Sequence, residues 1–508
     1  MSINKVYGYH ISRLCYEKNP YHYERQDQHI YATSNELVKT NNILNLDKRQ
    51  GTMTITTSTS HNYEKARTQF IERISLVLLL LTINETSSVR VCNSSSENCK
   101  YIPPNSVEKI SKISYFHYLG QSRIGILISP TISRSKIREI EIYWNNVNIT
   151  PGDELALFEQ DSTGVQRVIY RVIPNGRSGF QKTGVLAEYI PSSNLSFVKK
   201  CIKYELAWLT DKKIKKMECL KTQPNWMKER KDILGPLKMK QIFLPGTHNS
   251  AIYDENDKRT SIISNLAVTQ DLDILGQLIH GVRYLDIRVA YYPDTKEIWW
   301  TNHGPFYRSV SLKTVIDQVK KFLDNTEEIV IMDIREFPIG FDKISVHHKL
   351  VSYLENEFRN YFLPNNYGWN ITLNEIWFFR KRLIIGYENM EIVKSRTNVW
   401  PCVLHQWGDV KSTEKLYQYL YKIETSNRNS TIIPRSAMAE LTSDFKHILF
   451  NRLRNLREMA HKVNLNVTNW YSTIWQYTAN IVSVDFVRST DIVEIAIKSN
   501  ENRHLYCR

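Results

Sequence analysis

Short stretches of alternating apolar and polar residues run from Ser122 to Asp211, and turn signals such as Pro174-Asn-Gly separate them. Alternation of this kind is typical of strands that bury one face. Six stretches at this spacing predict a β-sandwich. They are RIGILIS, KIREIEIYW, DELALFEQ, VQRVIYRVI, TGVLAEYI and IKYELAWL. No acids, histidines or cysteines in them have catalytic spacing, so a binding or packing module is expected.

The pattern changes after residue 224, where apolar runs alternate with segments of helical periodicity. The runs IVIMDI and RLIIGYE are typical of buried parallel strands. Asp271–His280 is predicted to be a helix that ends at Gly281. Two more helices are predicted, one capped by Ser309 or Ser311. Their apolar positions are Leu312, Val315, Ile316, Val319, Phe322 and Leu323, then Phe445, Ile448, Leu449, Leu453 and Leu456.

This alternation of strands and helices predicts a parallel sheet with helices outside it. Polar residues gather where the strands end. In a barrel of parallel strands the carboxyl ends meet on one face, and that face carries the active site. We therefore expect an α/β barrel with its site there.

Composition and charge narrow the partners. The chain has 508 residues, 42% apolar and 23% charged, which fits a globular protein of two domains. Its net charge of +15 favours anionic partners. The stretch from Lys199 to Lys240 contains thirteen Lys or Arg residues and five Asp or Glu residues. This basic stretch is either a solvated surface or an attachment to anionic lipid headgroups. Nucleic acid is disfavoured because basic and aromatic residues are not interleaved.

The first ninety residues carry no candidate chemistry. Residues 1–73 lack sustained periodicity and are expected to be a leader without regular structure. Residues 74–90 resemble a signal peptide, because Ile74–Ile83 is an apolar run too short for a comfortable membrane span. A signal should begin a chain, and Met53 would be a natural start for this one. The alternative is a buried strand or helix. Under the signal hypothesis we expect processing near residues 84–91.

The cysteines favour an oxidising compartment. Six of the seven follow the apolar run, an even set that allows three disulfides. The local pairs Cys92–Cys99 and Cys201–Cys219 are predicted; Cys402 and Cys507 remain. Seven glycosylation sequons are present, but chance would give nearly as many, so they permit secretion without supporting it. They begin at Asn84, Asn93, Asn148, Asn194, Asn370, Asn429 and Asn466.

Three segments predict buried strands that deliver polar residues at their ends: QIFLPGTHNS at 241–250, GVRYLDIRV at 281–289 and EIWWTNHG at 297–304. They provide two histidines, an arginine and an aspartate. One imidazole can take a hydroxyl proton, the other can protonate a leaving oxygen, and the cation can stabilise a pentacoordinate phosphate. Transfer of a phosphodiester to a hydroxyl of the substrate needs these groups.

Five motifs in this order resemble the X domain of phosphatidylinositol-specific phospholipase C, especially animal proteins with an X domain but without the usual signalling modules. They are PGTHNS, RYLDIR, NHG, EEIVIMDIREF and NIVSVDFV, between Pro224 and Lys498. The resemblance implies an irregular TIM-like (β/α) barrel over 225–498. An all-β sandwich-like domain at 91–211 and a basic linker at 212–224 are expected before it.

Similarity to the bacterial enzymes implies the role of each residue. His248 would deprotonate the inositol 2-hydroxyl, His303 would protonate the diacylglycerol oxygen, and Arg288 would hold the phosphate. Asp485 would orient His248. Asn249, Asp286 and Arg335 are expected to bind substrate.

The resemblance also bears on metal use. The calcium-dependent branch of the family has acidic residues where this chain has Arg288 and Arg335, and arginine offers calcium no ligand. We therefore predict catalysis without a metal or another cofactor. Asn249 departs from the bacterial pattern, which has aspartate there, and asparagine occurs in the calcium-dependent branch. The remaining histidines, His280, His347, His348, His405, His447 and His461, are expected to be structural or on the surface.

Three functions are compatible with these residues. The first is a secreted or lumenal phosphoric diester hydrolase that acts at an anionic membrane surface on a phosphoinositide or an inositol glycolipid. The second is a lipid-binding pseudoenzyme of the same fold, for which Asn249 is the warning sign. The third is a metal-dependent glycerophosphodiester hydrolase, which would need a cluster of acids that the sequence does not assemble around His248.

Overall fold

A computed structural model of the chain describes residues 43–47, 52–57, 89–93, 99–102, 122–134, 137–161, 163–254, 266–426, 433–442 and 455–503. The chain divides into two compact units, one of residues 18–119 and one of residues 120–508 with 1–17. The described part of the smaller unit is a sheet in the order β1-β2-β3-β4. Its strands are β1 (Ile43–Asp47), β2 (Thr52–Thr57), β3 (Val89–Asn93) and β4 (Cys99–Ile102).

Strands β1 and β2 lie in the stretch for which the sequence predicted no regular element. The pairing of β3 with β4 places Cys92 opposite Cys99, as a local pair requires. The apolar run 74–83 lies outside the described residues. No described helix is long and apolar enough to cross a membrane.

The larger unit begins with a β-sandwich of two antiparallel sheets, in the orders β5-β6-β9 and β11-β10-β7-β8. The alternating residues predicted to be buried form its core, including Ile126, Ile140, Leu155 and Leu206. The strands are β5 (Arg123–Arg134), β6 (Ile137–Asn145), β7 (Asp153–Gln160), β8 (Gln166–Val172), β9 (Gly179–Glu188), β10 (Cys201–Thr210) and β11 (Lys213–Lys221).

The seventh strand, β11, was not expected. It occupies most of residues 212–224, for which a basic linker was predicted. The predicted disulfide between Cys201 and Cys219 is present and joins β10 to β11. Strand β11 lies at the edge of its sheet and its first three residues are exposed, so a charged stretch is compatible with this strand.

The rest of the unit is a curled sheet whose eight path strands all run parallel, in the order β18-β17-β16-β13-β12-β21-β20-β19. A hairpin, β14–β15, extends from β13. The strands are β12 (Leu244–Thr247), β13 (Tyr284–Tyr291), β14 (Trp299–His303), β15 (Tyr307–Ser311), β16 (Val330–Glu336), β17 (Leu383–Tyr387), β18 (Trp400–Pro401), β19 (Leu404–Gln406), β20 (Arg435–Met438) and β21 (Ile481–Val484).

The two edge strands of this sheet, β18 and β19, are consecutive in the chain, with only Cys402 and Val403 between them. So short a connection forces the sheet to curl until its edges are neighbours. The predicted fold class, an irregular TIM-like barrel preceded by a sandwich, is confirmed.

Helices separate most of the parallel strands. Ser311 caps α3 by accepting a hydrogen bond from the Thr314 N–H, and α3 buries all six predicted positions. The described helices are α1 (Lys231–Leu234), α2 (Ile274–Ile279), α3 (Leu312–Asn325), α4 (Ile344–Glu357), α5 (Leu373–Phe379), α6 (Met390–Ser395), α7 (Thr413–Thr425), α8 (Leu456–Thr473) and α9 (Ile492–Arg503).

One helix prediction differs from the structure, and another is largely untested. Helix α2 begins three residues later than predicted, because Asp273 caps it, and Gly281 follows it with a φ of 114° that favours glycine. The late amphipathic helix falls mostly outside the described residues, and its last position, Leu456, begins α8.

A buried ion pair holds the amino-terminal side of the barrel. Arg283 donates through Nε and Nη2 to the Glu328 carboxylate at 2.8 and 2.6 Å, and neither side chain is exposed. Arg283 precedes β13 and Glu328 precedes β16, so the pair joins neighbouring strands.

An ion pair and a hydrogen bond also fix the sandwich against the barrel. Arg123 lies 3.0 Å from Asp491, and Ser192 donates to Asp273 at 2.7 Å. Cys402 corrects one prediction: it does not complete an even set of disulfides but is a free thiol whose Sγ lies 3.4 Å from the Ile334 carbonyl oxygen, within the barrel.

Candidate active site

His248 follows the last residue of β12, a strand held between β13 and β21. Gly246 permits this close packing, because a Cβ there would lie 2.7 Å from Ser483 Oγ and 2.9 Å from a Tyr284 ring carbon. The chain then turns at Asn249, which has a φ of 47°, a left-handed conformation that asparagine tolerates. The strand therefore ends with His248 facing the rim of the barrel.

Two neighbours fix the His248 ring. Nδ1 lies 2.8 Å from Asp485 Oδ1, and Asp485 follows the last residue of β21. Nε2 lies 3.0 Å from Arg288 Nη2. A guanidinium only donates, so this contact is a hydrogen bond when the ring is neutral, with Nδ1 donating to Asp485 and Nε2 accepting. Gln270 also donates to the His248 carbonyl oxygen at 3.1 Å.

His303 is the last residue of β14, and its ring lies edge-on to that of His248 with the ring centroids 6.3 Å apart. Its Nδ1 lies 2.6 Å from the Ala267 carbonyl oxygen, so Nδ1 carries the proton and Nε2 faces the site as the reactive nitrogen. Within the described part of the chain, the Ala267 carbonyl orients this ring and no carboxylate does.

Arg288 and Asp286 lie on the same face of β13. Asp286 Oδ2 accepts the Asn249 N–H at 3.0 Å, and Arg288 Nη2 lies 3.4 Å from the same oxygen. Arg288 Nη1 donates to Glu336 at 3.1 Å. The positive charge of Arg288 and the second oxygen of Asp286 thus converge on the space beside His248.

Arg335, also predicted to bind substrate, is differently engaged. Its guanidinium donates to Asp333 at 2.9 Å and to the Val403 carbonyl oxygen. It is 9% exposed and acts electrostatically on Asp286 and His405. Arg335 therefore borders the predicted constellation, and its hydrogen bonds within the described residues go to Asp333 and Val403 and not to either histidine.

Sequence reasoning missed two residues of this site. Glu440 lies just beyond β20, is 4% exposed, and acts electrostatically on His248, Asp485 and Arg288. His405 lies in β19, and its charge interacts with those of Asp286, His248 and Arg288. Glu440 follows a strand end, which was the available signal, whereas His405 is the middle residue of a three-residue strand, and neither has a sequence motif around it.

The pKa values of the two histidines are shifted in opposite directions. Burial disfavours the charged form of His248, but the negative charges of Asp485 and Glu440 outweigh it and raise its pKa to about 9. Burial and the positive charge of Arg288 lower the pKa of His303 to about 4. Burial, with the charge of Asp485 added, raises the pKa of Glu440 to about 7 against the opposing charge of His248.

Several buried polar atoms of the site have no hydrogen-bond partner within the described ranges. They are both carboxylate oxygens of Glu440, Oδ1 of Asp286, Oδ1 of Asn302, and both side-chain amide atoms of Asn249. Buried polar groups are nearly always paired, and five of these six atoms are acceptors, so the cluster suits a ligand that donates several hydroxyl groups. Over the same ranges, no three His, Cys, Asp or Glu side chains are arranged to hold a metal ion.

Fold and site together define a parallel (β/α) barrel with a pair of histidines and an arginine at the carboxyl ends of its strands. Its homologues are named PI-PLC X domain-containing proteins, which confirms the resemblance drawn from the motifs. Mouse protein 1 is 25% identical over 305 residues, 55% of this chain and 86% of its own. Human protein 1 is 23% identical over 318 residues, 58% of this chain and 96% of its own.

Solved structures give a weaker likeness. A mutant of the phosphatidylinositol-specific phospholipase C from Staphylococcus aureus is 18% identical, with a TM-score of 0.41 over 54% of this chain and 97% of its own. At that TM-score the assignment of the fold depends on the strand order given above. No family model matches the chain.

Proposed function

We propose that this protein is a phosphoric diester hydrolase that cleaves phosphatidylinositol-type lipids by transferring the phosphoryl group to the inositol 2-hydroxyl. The 2-oxygen forms a bond to phosphorus, the bond from phosphorus to the diacylglycerol oxygen breaks, and a cyclic inositol phosphate leaves with diacylglycerol. The observation that carries the proposal is the contact of Arg288 with His248 Nε2, opposite Asp485 on Nδ1 and beside His303.

In this proposal Asp485 holds the Nδ1 proton of His248, so that Nε2 is free to take the proton of the 2-hydroxyl. Arg288 leaves Nε2 for the phosphate as substrate enters, and stabilises the charge that develops there. His303 gives a proton from Nε2 to the diacylglycerol oxygen. Asn249, Asp286 and Glu440 hold the inositol hydroxyls through their unpartnered atoms.

The ionisation of the free protein opposes this direction of proton transfer. At pH 7 a ring with a pKa of about 9 is mostly charged, and one with a pKa of about 4 is mostly neutral. Bound phosphate favours the charged form of His303 by adding negative charge and by neutralising Arg288, which lowers the His303 pKa in the free protein. His303 therefore becomes a general acid only when the phosphate of the bound substrate favours its charged form.

One observation favours a second function, a lipid-binding protein with little turnover. The bacterial pattern has a carboxylate at the position of Asn249. Here the Ala267 carbonyl orients His303, and the pKa of His303 is lowered. A neutral His303 would bind the lipid next to Arg288 but would protonate no leaving group.

The residues offer calcium a poor site. Calcium prefers six to eight oxygen ligands. The Arg288 guanidinium, which repels a cation, lies 3.4 Å from Asp286 Oδ2. We therefore propose that the reaction needs no metal, with Arg288 supplying the positive charge.

A membrane surface is the proposed partner, since the substrate is a lipid. Phe306 is 74% exposed three residues beyond His303, and Trp407 is 51% exposed just after β19. Exposed aromatic side chains near the mouth of a site are suited to the interface between water and lipid. The net charge of +15 favours anionic lipids.

The location proposed is secreted or lumenal. The Cys201–Cys219 disulfide belongs to an oxidising compartment, and the sequon residues Asn148, Asn194 and Asn370 are exposed. Secreted material should carry glycans there and should have been processed near residues 84–91. Glycosidase treatment with N-terminal sequencing tests both.

The experiment that tests the activity is incubation of the purified protein with phosphatidylinositol vesicles, followed by phosphorus NMR. The proposal expects cyclic inositol phosphate from the wild type and none from His248→Ala. If the protein sediments with the vesicles but forms no product, the lipid-binding function is favoured. A product that is acyclic from the first turnover would contradict transfer to the 2-hydroxyl.

A further inference from the structure

An exposed aromatic surface, formed by Tyr367, Phe378 and Phe379, lies on the amino-terminal side of the barrel. The rings of Tyr367 and Phe379 are stacked, with centroids 4.6 Å apart and planes 27° apart. The Phe378 ring lies 5.6 Å from that of Phe379. Phe378 is 82% exposed and Tyr367 is 39% exposed. A contiguous exposed apolar surface on a soluble protein usually marks a contact.

The position of the aromatic surface separates it from the mouth of the active site. Trp377, next to Phe378, donates through Nε1 to the Glu327 carbonyl oxygen at 2.7 Å, and Glu327 precedes β16. Residues 380–382 connect α5 to the start of β17. The aromatic surface therefore lies where the parallel strands begin, whereas His248 follows the end of β12. A membrane bound at the mouth of the site would not cover this surface.

The sequon at Asn370 lies beside the aromatic surface. Asn370 is exposed and follows Tyr367 by three residues, so their Cα atoms are at most about 11 Å apart. The Ile371 N–H donates to the Gly368 carbonyl oxygen at 3.1 Å, which closes a turn and shortens this separation. Trp369, which is 4% exposed and belongs to the barrel core, anchors the turn. The Asn370 side chain therefore starts from a fixed position next to Tyr367.

The other two exposed sequons lack an aromatic neighbour of this kind. Asn148 follows β6, and Asn194 lies in a short 3-10 turn before β10. Among the described residues from 122 to 221, no exposed large apolar side chain is aromatic. A sugar ring presents a face of C–H groups that packs on the face of an aromatic ring, and this contact removes apolar area from water. Asn370 is thus the exposed sequon at which a glycan has a surface to pack on.

We propose that Asn370 carries an N-linked glycan whose first sugars pack on the aromatic surface, cover Phe378 and stabilise this side of the barrel. The proposal rests on the secreted or lumenal location proposed above, because N-linked glycans are attached to surface asparagines of such proteins. It goes beyond that location by giving one glycan a structural role. The attached glycan is a contact that the chain carries with it.

The test uses the full chain recovered from the medium of cultured animal cells. Mass spectrometry of proteolytic peptides measures which asparagines carry glycans, and thermal unfolding measures Tm. Asn370→Gln and Phe378→Ala should each lower Tm by at least about 1 °C. The double variant should lower Tm no further than the more affected single variant, since both changes remove the same contact.

Asn194→Gln is the matched control, because it removes an exposed sequon that has no aromatic surface beside it. It should lose its glycan and keep the Tm of the wild type. If Phe378→Ala is not secreted, glycosidase treatment of the folded wild type replaces it. Removal of the glycans should then lower Tm in the wild type but not in Asn370→Gln.

The outcomes separate this proposal from the location on which it rests. Glycans on Asn148 or Asn194 with none on Asn370 would overturn the proposal and leave the lumenal location standing. Equal Tm values for Asn370→Gln and the wild type, or additive losses in the double variant, would show that the glycan does not pack on the aromatic surface. The absence of glycans from all three sites would overturn the location and the proposal together.

Discussion

Nδ1 of His248 lies 2.8 Å from Oδ1 of Asp485, a residue 237 positions away in the chain. Strands β12 and β21 are parallel neighbours, with Thr247 opposite Val484, so the residue that follows each strand emerges at the same level of the barrel. The pair is therefore a direct consequence of strand register. The pair fixes the tautomer of His248, and the charge of Asp485 is the largest contribution that raises the His248 pKa.

Replacing Asp485 with Asn should lower the pKa of His248 from about 9 to near or below the ordinary value of about 6.5. Burial already disfavours the charged ring, and the variant removes the largest charge that opposes it. Histidine NMR over a pH titration measures the change. Glu440→Gln is the matched control and should lower the pKa less. An unchanged pKa in Asp485→Asn would contradict this account.

The same pair predicts the pH dependence of stability. The folded-state pKa of His248 lies above its unfolded value, so its contribution is fully present below about pH 6.5 and is lost as pH rises through about 9. The free energy of unfolding of the wild type should therefore fall relative to Asp485→Asn over that range. Urea unfolding at pH 6 and pH 10 measures it, and parallel behaviour of the two proteins would show no linkage.

His248→Ala and His303→Ala should each lose about 10²–10⁴-fold in activity, as expected for a general base or acid. With a nitrophenyl ester of inositol phosphate, whose leaving group needs no proton, the His303 variant should recover much of its rate and the His248 variant should not. Steady-state rates with both substrates measure this. His348→Ala, a change on helix α4 away from the site, is the control.

In the free protein His248 has the higher pKa and His303 the lower, so comparing the two substrates decides which histidine is the acid and which is the base. If the His248 variant recovers and the His303 variant does not, the acid and base are exchanged, in the direction that the two pKa values favour. Equal recovery, or none, would show that neither assignment holds.

Activity should be insensitive to a chelator, because Arg288 supplies the positive charge that calcium would provide. Arg288→Lys should lower kcat at least about tenfold, since an ammonium cannot reproduce a planar two-point contact with phosphate. Rates on phosphatidylinositol with EDTA, and with calcium added back, measure the first expectation. Arg308→Lys on β15 is the control for the second. Loss of activity in EDTA with recovery in calcium would refute a metal-free site.

Arg283→Met should cost about 3–5 kcal/mol of stability, because it leaves the fully buried Glu328 carboxylate without its partner. Arg283→Met with Glu328→Met should recover part of this loss. Urea unfolding followed by fluorescence measures the free energy of unfolding. Arg167→Met removes an exposed pair and should cost at most about 1 kcal/mol. Equal costs for the two single variants would contradict the structural role of the buried pair.

Periodicity in the sequence predicted much of the fold. Alternation along 122–211 predicted the sandwich, and the spacing of Leu312 to Leu323 predicted α3 with Ser311 as its cap. These predictions hold because local periodicity reports which face of an element is buried. The basic residues of β11 concealed a strand, since charges on an exposed edge remove the alternation that identifies one.

For the site, the sequence by itself placed His248, Arg288 and His303 at or near strand ends, because an apolar run followed by a polar residue is a local pattern. The resemblance of the motifs had implied that Asp485 orients His248. Only the tertiary structure decided that Glu440 and His405 join them, and that Arg335 is engaged with Asp333. The tertiary structure also decided that the pKa of His248 is raised while the pKa of His303 is lowered. The physical reason is that a pKa depends on burial and on the distances to charges far away in the chain.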